Sequence, residues 1–268
     1  MFTKIGFIGT GNMGSALAKA ADKGAAEGAV LYLANRTPAK AEALCAQLTH
    51  ARMSTNEEIA QSCDLIFLGV KPQMMAGLMA QIAPILAGRA DRFVLCSMAA
   101  GLTFDSLTAM AGGDYPLIRI LPNTPAAIGE GVAQFAVRNV SGEEKAEFLS
   151  LMAPSGLLDE MDEHQMAIAN CISGCGIAFA ALFMEALADG AVACGLPRDK
   201  AMACAAQTLV GTGALYLKEK NHPGAMKDAV CSPGGVTIQG VRALEANGFR
   251  SACMEAVIAA YEKANKLN

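Results

Sequence analysis

The chain has 268 residues, 53% of them hydrophobic, which is enough for a buried core and excludes a disordered chain. Its 21 Lys and Arg stand against 25 Asp and Glu, a net charge of −4, and it has no Trp, so no basic or base-stacking footprint points to nucleic acid or to an anionic membrane. Nine scattered Cys form no CxxC pair and the three His lie far from any Cys cluster, so neither a disulfide framework nor a metal site is expected.

Taken in chain order, the first half alternates short apolar runs with amphipathic stretches, the pattern of βαβ units. Strands are expected at 4–8, 30–34, 65–70, 93–98 and 117–121, with helices at 12–27, 38–48, 57–62, 73–87 and 103–111. A strand at 132–137, a helix at 142–152 and a short strand at 157–161 follow. The fold class is α/β, a mostly parallel, doubly wound sheet wrapped by helices.

Beyond about Asp162 strand patterns vanish and helical periodicity runs onward, broken at Gly195-Leu196-Pro197, at His222-Pro223 and at Ser232–Gly235. Two domains are therefore expected: 1–162, nucleotide-binding, and 163–268, all-helical. The run 165–184 carries no formal charge and is as long as a membrane span. Its internal Gln165, Asn170, Ser173 and two glycines, with acidic flanks, argue instead for a helix buried on all sides in a soluble oligomer. The N-terminus enters a strand at once without a basic leader, so a cytoplasmic location is expected.

The motif that carries chemistry is Phe7-Ile8-Gly9-Thr10-Gly11-Asn12-Met13-Gly14, a GxGxxG placed where a strand hands over to a helix. Gly9 permits the tight turn, Gly11 admits a pyrophosphate, and Gly14 allows close helix–strand packing. The phosphates are expected at the helix N-terminus, where free N–H groups and the macrodipole favour an anion. The second strand ends Ala34-Asn35-Arg36-Thr37 with no carboxylate for a ribose 2′-OH. Arg36 and Thr37 suit a 2′-phosphate, which favours NADPH over NADH. Gly69-Val70-Lys71-Pro72 and Ser97-Met98-Ala99-Ala100-Gly101 end later strands, where ligands of open α/β sheets bind.

GTGNMG at 9–14, VKPQ at 70–73, AAGL at 99–102 and RILPNTPA at 119–126 lie in order in the first half. EALADGAVACGLPRDKA at 185–201, QTLVGT at 207–212, HPGAMKDAVCSPGGVTIQGVRALE at 222–245 and GFRSA at 248–252 follow in the second. Together they resemble the pyrroline-5-carboxylate reductase family over essentially the whole chain. The resemblance implies a Rossmann domain followed by a helical domain that interlocks with a second copy, in some cases within larger rings such as decamers. It implies reduction of a cyclic imino acid, 1-pyrroline-5-carboxylate, to L-proline. Ile8, Gly9, Thr10, Gly11, Asn12, Met13, Gly14, Asn35, Arg36, Thr37, Asn56, Gly69, Val70, Lys71, Pro72, Met98, Ala99 and Ala100 would touch the cofactor. Glu163, Ser232, Gly234, Gly235, Val236 and Thr237 would build the substrate pocket, closed by helices of the partner copy.

On that resemblance, Ser232–Thr237 opens a helix whose free N–H groups seat the substrate carboxylate. Thr237 contacts the ring nitrogen, Glu163 adds negative potential near it, and Lys71 is the second candidate catalytic group. The family's SGSGPAY is here Ser173-Gly174-Cys175-Gly176-Ile177-Ala178-Phe179, a departure that bears on substrate size. Two rival readings fit the sequence less well. A β-hydroxyacid dehydrogenase needs a Lys entering the second domain, and none occurs between Lys145 and Lys200. A non-catalytic NADPH-binding protein has no use for the SPGG-x-T loop.

Overall fold

Strands that are apolar at every position need cover on both faces, and the first part of the chain supplies it with a helix after nearly every strand. The computed structural model describes residues 2–266, in two units: 2–174 with 264–266, and 175–263. The first unit begins β1 (Lys4–Ile8), α1 (Asn12–Gly24), β2 (Val30–Ala34), α2 (Pro38–Cys45), β3 (Ala51–Met53) and α3 (Asn56–Ser62). It continues β4 (Leu65–Leu68), α4 (Pro72–Ala87), β5 (Val94–Ser97), α5 (Phe104–Ala111) and β6 (Leu117–Pro122). It closes with β7 (Gly131–Arg138), α6 (Gly142–Met152), β8 (Gly156–Glu160) and α7 (Glu163–Ser173). Short 3₁₀ turns at Thr124–Ile128 and Ala153–Ser155 precede β7 and β8.

The eight strands form one sheet in the order β3-β2-β1-β4-β5-β6-β7-β8. Only the β6–β7 pair is antiparallel. One face packs Phe7, Leu17, Phe67, Phe135 and Phe148, and the other packs Ile66, Leu68, Met79, Ile82, Leu95 and Leu107. The strand order reverses direction between β1 and β4, the switch point at which doubly wound sheets open a crevice.

Several boundaries differ from the expected ones for identifiable reasons. α1 stops at Gly24 instead of 27: Ala25 leaves the helix in an extended conformation, and Gly24 is packed so tightly that a Cβ there would lie 2.1 Å from the Leu151 carbonyl oxygen. α2 ends at Cys45 rather than 48. The edge strand β3 was not expected: its three residues are partly or fully exposed, so no apolar run announces it. The charge-free stretch 165–184 is not one continuous helix, since α7 ends at Ser173 and α8 starts at Gly176. Within Glu163–Ala193 an 18-residue window is apolar enough for a membrane span, with mean hydropathy 1.9. Yet α7 packs Met166 and Cys171 with the sheet unit.

The second unit holds α8 (Gly176–Ala193), α9 (Arg198–Glu219), α10 (Pro223–Ala229), α11 (Val236–Ala246) and most of α12 (Phe249–Asn265). Its own core is small: Ala188, Ala201 and Ala205 are the buried apolar residues among those described. Leu182, Val210, Leu217 and Met254 remain more than half exposed. Helices with that much uncovered apolar surface require an apolar partner surface.

Candidate active site

The β1–α1 turn is shaped by glycine in the manner a dinucleotide site requires. Gly9 sits at φ +99°, a left-handed conformation, and its N–H donates to the Ala34 carbonyl at 2.8 Å. A Cβ on Gly14 would fall 2.1 Å from the Gly9 carbonyl oxygen, so only glycine lets α1 approach β1 this closely. Above Gly11, in contrast, no protein atom lies within 4 Å of an added Cβ. Gly11 caps α1 with no side-chain cap and no acidic residue in the first turn, leaving its N–H groups open to an anion.

Two further features mark the turn as a binding cradle. The Thr10 hydroxyl is buried without a hydrogen-bond partner. Asn35 ties the ends of β1 and β2 together: its Oδ1 accepts from the Thr10 N–H at 3.2 Å and its Nδ2 donates to the Thr37 carbonyl at 3.0 Å. Ser15, which the motif reading passed over, donates to the Thr10 carbonyl at 3.0 Å and fixes the turn from the helix side. These residues fit a dinucleotide: an open anion-binding helix start, a glycine floor and an orphan hydroxyl.

The remaining cofactor candidates gather at the carboxyl ends of the neighbouring strands. Arg36 is exposed just beyond β2, and Thr37 is the N-cap of α2. Lys71 is the exposed N-cap of α4, followed by Pro72 at its first position. The Gly69 N–H donates to the Ile8 carbonyl at 2.8 Å, and a Cβ on Gly69 would lie 2.4 Å from the Gly9 carbonyl oxygen. Val70 is half-buried beside it. Met98 follows β5 and reaches over Gly69, with its Cε 2.7 Å from the same hypothetical Cβ. The Ala99 N–H donates to Ser97 Oγ, and Ala100 is exposed. Asn56 opens α3, with its amide donating to Gln81 Oε1 on α4 at 3.0 Å. Asn12 and Met13 lie in the first turn of α1.

Glu163 starts α7 within the same unit. Its Oε1 accepts from the Phe104 N–H at 2.9 Å and from Arg119 Nη1, which comes from the middle of β6. Arg119 is only 5% exposed, and its Nε has no partner. A charged residue in the otherwise apolar run LIRILP was the signal that could have singled it out.

The SPGG loop belongs to the second unit. Ser232, Pro233 and Gly234 are exposed, Gly234 adopts φ +69°, and Gly235 is the N-cap of α11. The Gly235 N–H donates back to the Ser232 carbonyl at 3.0 Å, and no side chain caps the helix. Val236 is 89% exposed and Thr237 is exposed beside it. Like α1, this helix presents uncapped N–H groups. Just upstream, Lys227 and Asp228 form an ion pair that pushes the Lys227 ammonium above its ordinary range.

Residues 163–267 match the family model described as pyrroline-5-carboxylate reductase dimerisation, and residues 4–101 match one described as NADP oxidoreductase, coenzyme F420-dependent. The pyrroline-5-carboxylate reductase of Escherichia coli is 38% identical over 273 residues, covering 100% of this chain and 99% of its own. The chain belongs to the pyrroline-5-carboxylate reductase family. Within that family, the Plasmodium falciparum enzyme, solved with NADP bound, superposes with a TM-score of 0.83 at 33% identity, over 98% of each chain. The Coxiella burnetii reductase does so with a TM-score of 0.90 at 26% identity, over 100% of this chain and 99% of its own. Family membership accounts for the uncovered helices of the second unit, whose matched region is named for dimerisation. It also accounts for the arrangement of an α/β unit followed by helices.

Proposed function

We propose that this chain reduces 1-pyrroline-5-carboxylate to L-proline with NADPH, the last step of proline synthesis. The observation that carries the reading is the full-length match at 38% identity to a reductase of that name, in a chain that carries both the glycine cradle and the SPGG loop. When bound, NADPH supplies the hydride that saturates the C=N bond.

The chain's own residues bind and orient. Gly9–Gly14 and the start of α1 hold the pyrophosphate, Arg36 and Thr37 the 2′-phosphate, with NADH as the weaker alternative. Lys71 and Met98–Ala100 line the reduced ring. The amides of Gly235, Val236 and Thr237, with Ser232 and Gly234, seat the substrate carboxylate. The Thr237 hydroxyl contacts and orients the ring nitrogen and relays a proton to it from solvent, while Glu163 favours the cationic iminium, the better hydride acceptor. The helical region 163–268 interlocks with that of a second copy, whose helices close the substrate pocket, in a dimer that can build larger rings, and the enzyme works in the cytoplasm.

The test follows NADPH absorbance with the purified protein and pyrroline-5-carboxylate, beside the six-membered piperideine-6-carboxylate. Oxidation with the five-membered ring, lost in Thr237→Val while NADPH affinity stays intact, is the expected result. Clear NADPH binding with no turnover of either imine would overturn it. A preference for the six-membered ring would favour a second reading, a neighbouring imine reductase, suggested by Ile177 and Phe179 where the family commonly has Pro and Tyr.

A further inference from the structure

A buried guanidinium is costly unless its charge is compensated, and Arg119 is compensated incompletely. It is 5% exposed on a central strand, its Nη1 reaches Glu163, and its Nε N–H has no partner. In the sheet register it stands opposite Ser97, the last residue of β5, immediately before the Met98–Ala100 segment. The loop after that segment leads into Phe104, the first residue of α5, whose N–H donates to the same carboxylate oxygen that Arg119 holds. Both donors therefore address Oε1. The other oxygen, Oε2, takes no donor from the described protein, on a side chain that is 30% exposed.

We propose that Arg119 is a positioning residue for the reduction: it fixes Oε1 of Glu163 so that Oε2 meets the cationic ring nitrogen of the bound imine. The inference rests on the placement of Glu163 at the substrate proposed above. Arg119 touches neither substrate nor cofactor in this account. It acts by making one oxygen of a carboxylate immobile beside the segment proposed to line the nicotinamide, and by holding the end of that loop through Phe104.

Two inhibitors separate this role from that of a mere clamp between β6 and α7. L-Proline carries a cationic ring nitrogen, whereas cyclopentanecarboxylate has the same ring size and carboxylate without the nitrogen. Arg119→Met is expected to lower kcat/KM about tenfold and to weaken competition by L-proline about tenfold, the size of one charge-assisted hydrogen bond. Cyclopentanecarboxylate inhibition and NADPH affinity should change by less than about twofold in the same variant. Arg119→Lys should recover part of the loss, and it provides the measurement if Arg119→Met does not fold. The double variant with Glu163→Gln should be no slower than Glu163→Gln alone. Equal weakening of both ring acids, or losses that add in the double variant, would overturn the role of Arg119 while leaving Glu163 in place. If Glu163→Gln alone leaves kcat/KM unchanged, the placement of Glu163 itself fails, and the role of Arg119 with it.

Discussion

Phe7 and Phe67 stand opposite each other on the parallel strands β1 and β4 and stack face to face, with ring centroids 4.4 Å apart and planes 1° apart. Both are fully buried, and Phe67 also meets Phe148 on α6 in a tilted pair with centroids 6.4 Å apart. The pair lies under the strand ends that bear the glycine turn and Gly69. Phe67→Ala is expected to remove about 3–5 kcal/mol of stability, whereas Phe67→Leu should cost less than half of that. Urea unfolding followed by far-UV circular dichroism would measure both.

Gly11 and Gly14 are two glycines of one motif with opposite consequences. Gly11→Ala meets no protein atom, so its thermal midpoint should match the parent while its NADPH affinity falls at least about tenfold. Gly14→Ala drives a methyl against the Gly9 carbonyl and should lose stability as well as affinity. Nucleotide titration by fluorescence, run beside thermal melts, distinguishes the two. Equal melting losses in both variants would contradict the open space seen above Gly11.

Arg36 is exposed and free to meet a phosphate beyond β2. Arg36→Ala should weaken NADPH about tenfold and leave NADH nearly unchanged. The salt dependence of NADPH binding should flatten in the variant, because a surface charge contact is screened by ions. An equal loss for both nucleotides would remove Arg36 from the 2′-phosphate.

Acid stability should respond to Glu144. This residue closes a capping box with Ser141 at the start of α6 and receives two bonds from Arg92, at 2.6 and 2.9 Å. The Arg92 hydrogen bonds, ahead of the opposing burial and the Ser141 contacts, hold its carboxyl down at about 2 against an ordinary 4.5. A carboxyl depressed in the folded state stabilises above its unfolded value and loses that contribution as pH falls from 4.5 through 2. Arg92 is 58% exposed, so solvent screening holds the contribution to about 1 kcal/mol. Glu144→Ala should lower the denaturant midpoint at neutral pH and flatten its decline between those two pH values.

The thiols divide in the same measurable way. Burial, ahead of the neighbouring Asp64 charge, pushes the Cys63 thiol up to about 12, and burial raises the Cys96 thiol well above its ordinary value. Neither should react with a thiol reagent in the native protein at mildly alkaline pH, because the thiolate is the nucleophile. Labelling of Cys63 or Cys96 before unfolding, read by peptide mass spectrometry, would contradict their burial.

The sheet was legible because parallel strands covered on both faces are apolar at nearly every position, so β1, β2, β4, β5 and, Arg119 apart, β6 announce themselves in composition. The glycine turn was legible because its spacing states a backbone requirement that Gly9 and Gly14 then meet. Less was legible where pairing is long-range. The Arg119–Glu163 contact joins residues 44 apart, and Asn123 donates to the Ser173 carbonyl across 50. Nothing local to either residue states its partner. β3 escaped because a three-residue edge strand needs no apolar face, and the break at Gly174–Cys175 escaped because α7 and α8 share one composition.

α7 is pinned at both of its ends to the sheet. Glu163 meets Arg119 and Phe104 at one end, and Ser173 at the other joins Asn123 and donates to Gln134 at 3.0 Å. Recombination between relatives should therefore tolerate some crossover points better than others. A chimera joined just after Asp162 pairs β6 and β7 of one parent with α7 of another and stakes four buried polar groups on their agreement. One joined between Gly174 and Gly176 inherits the helix together with every residue that grips it.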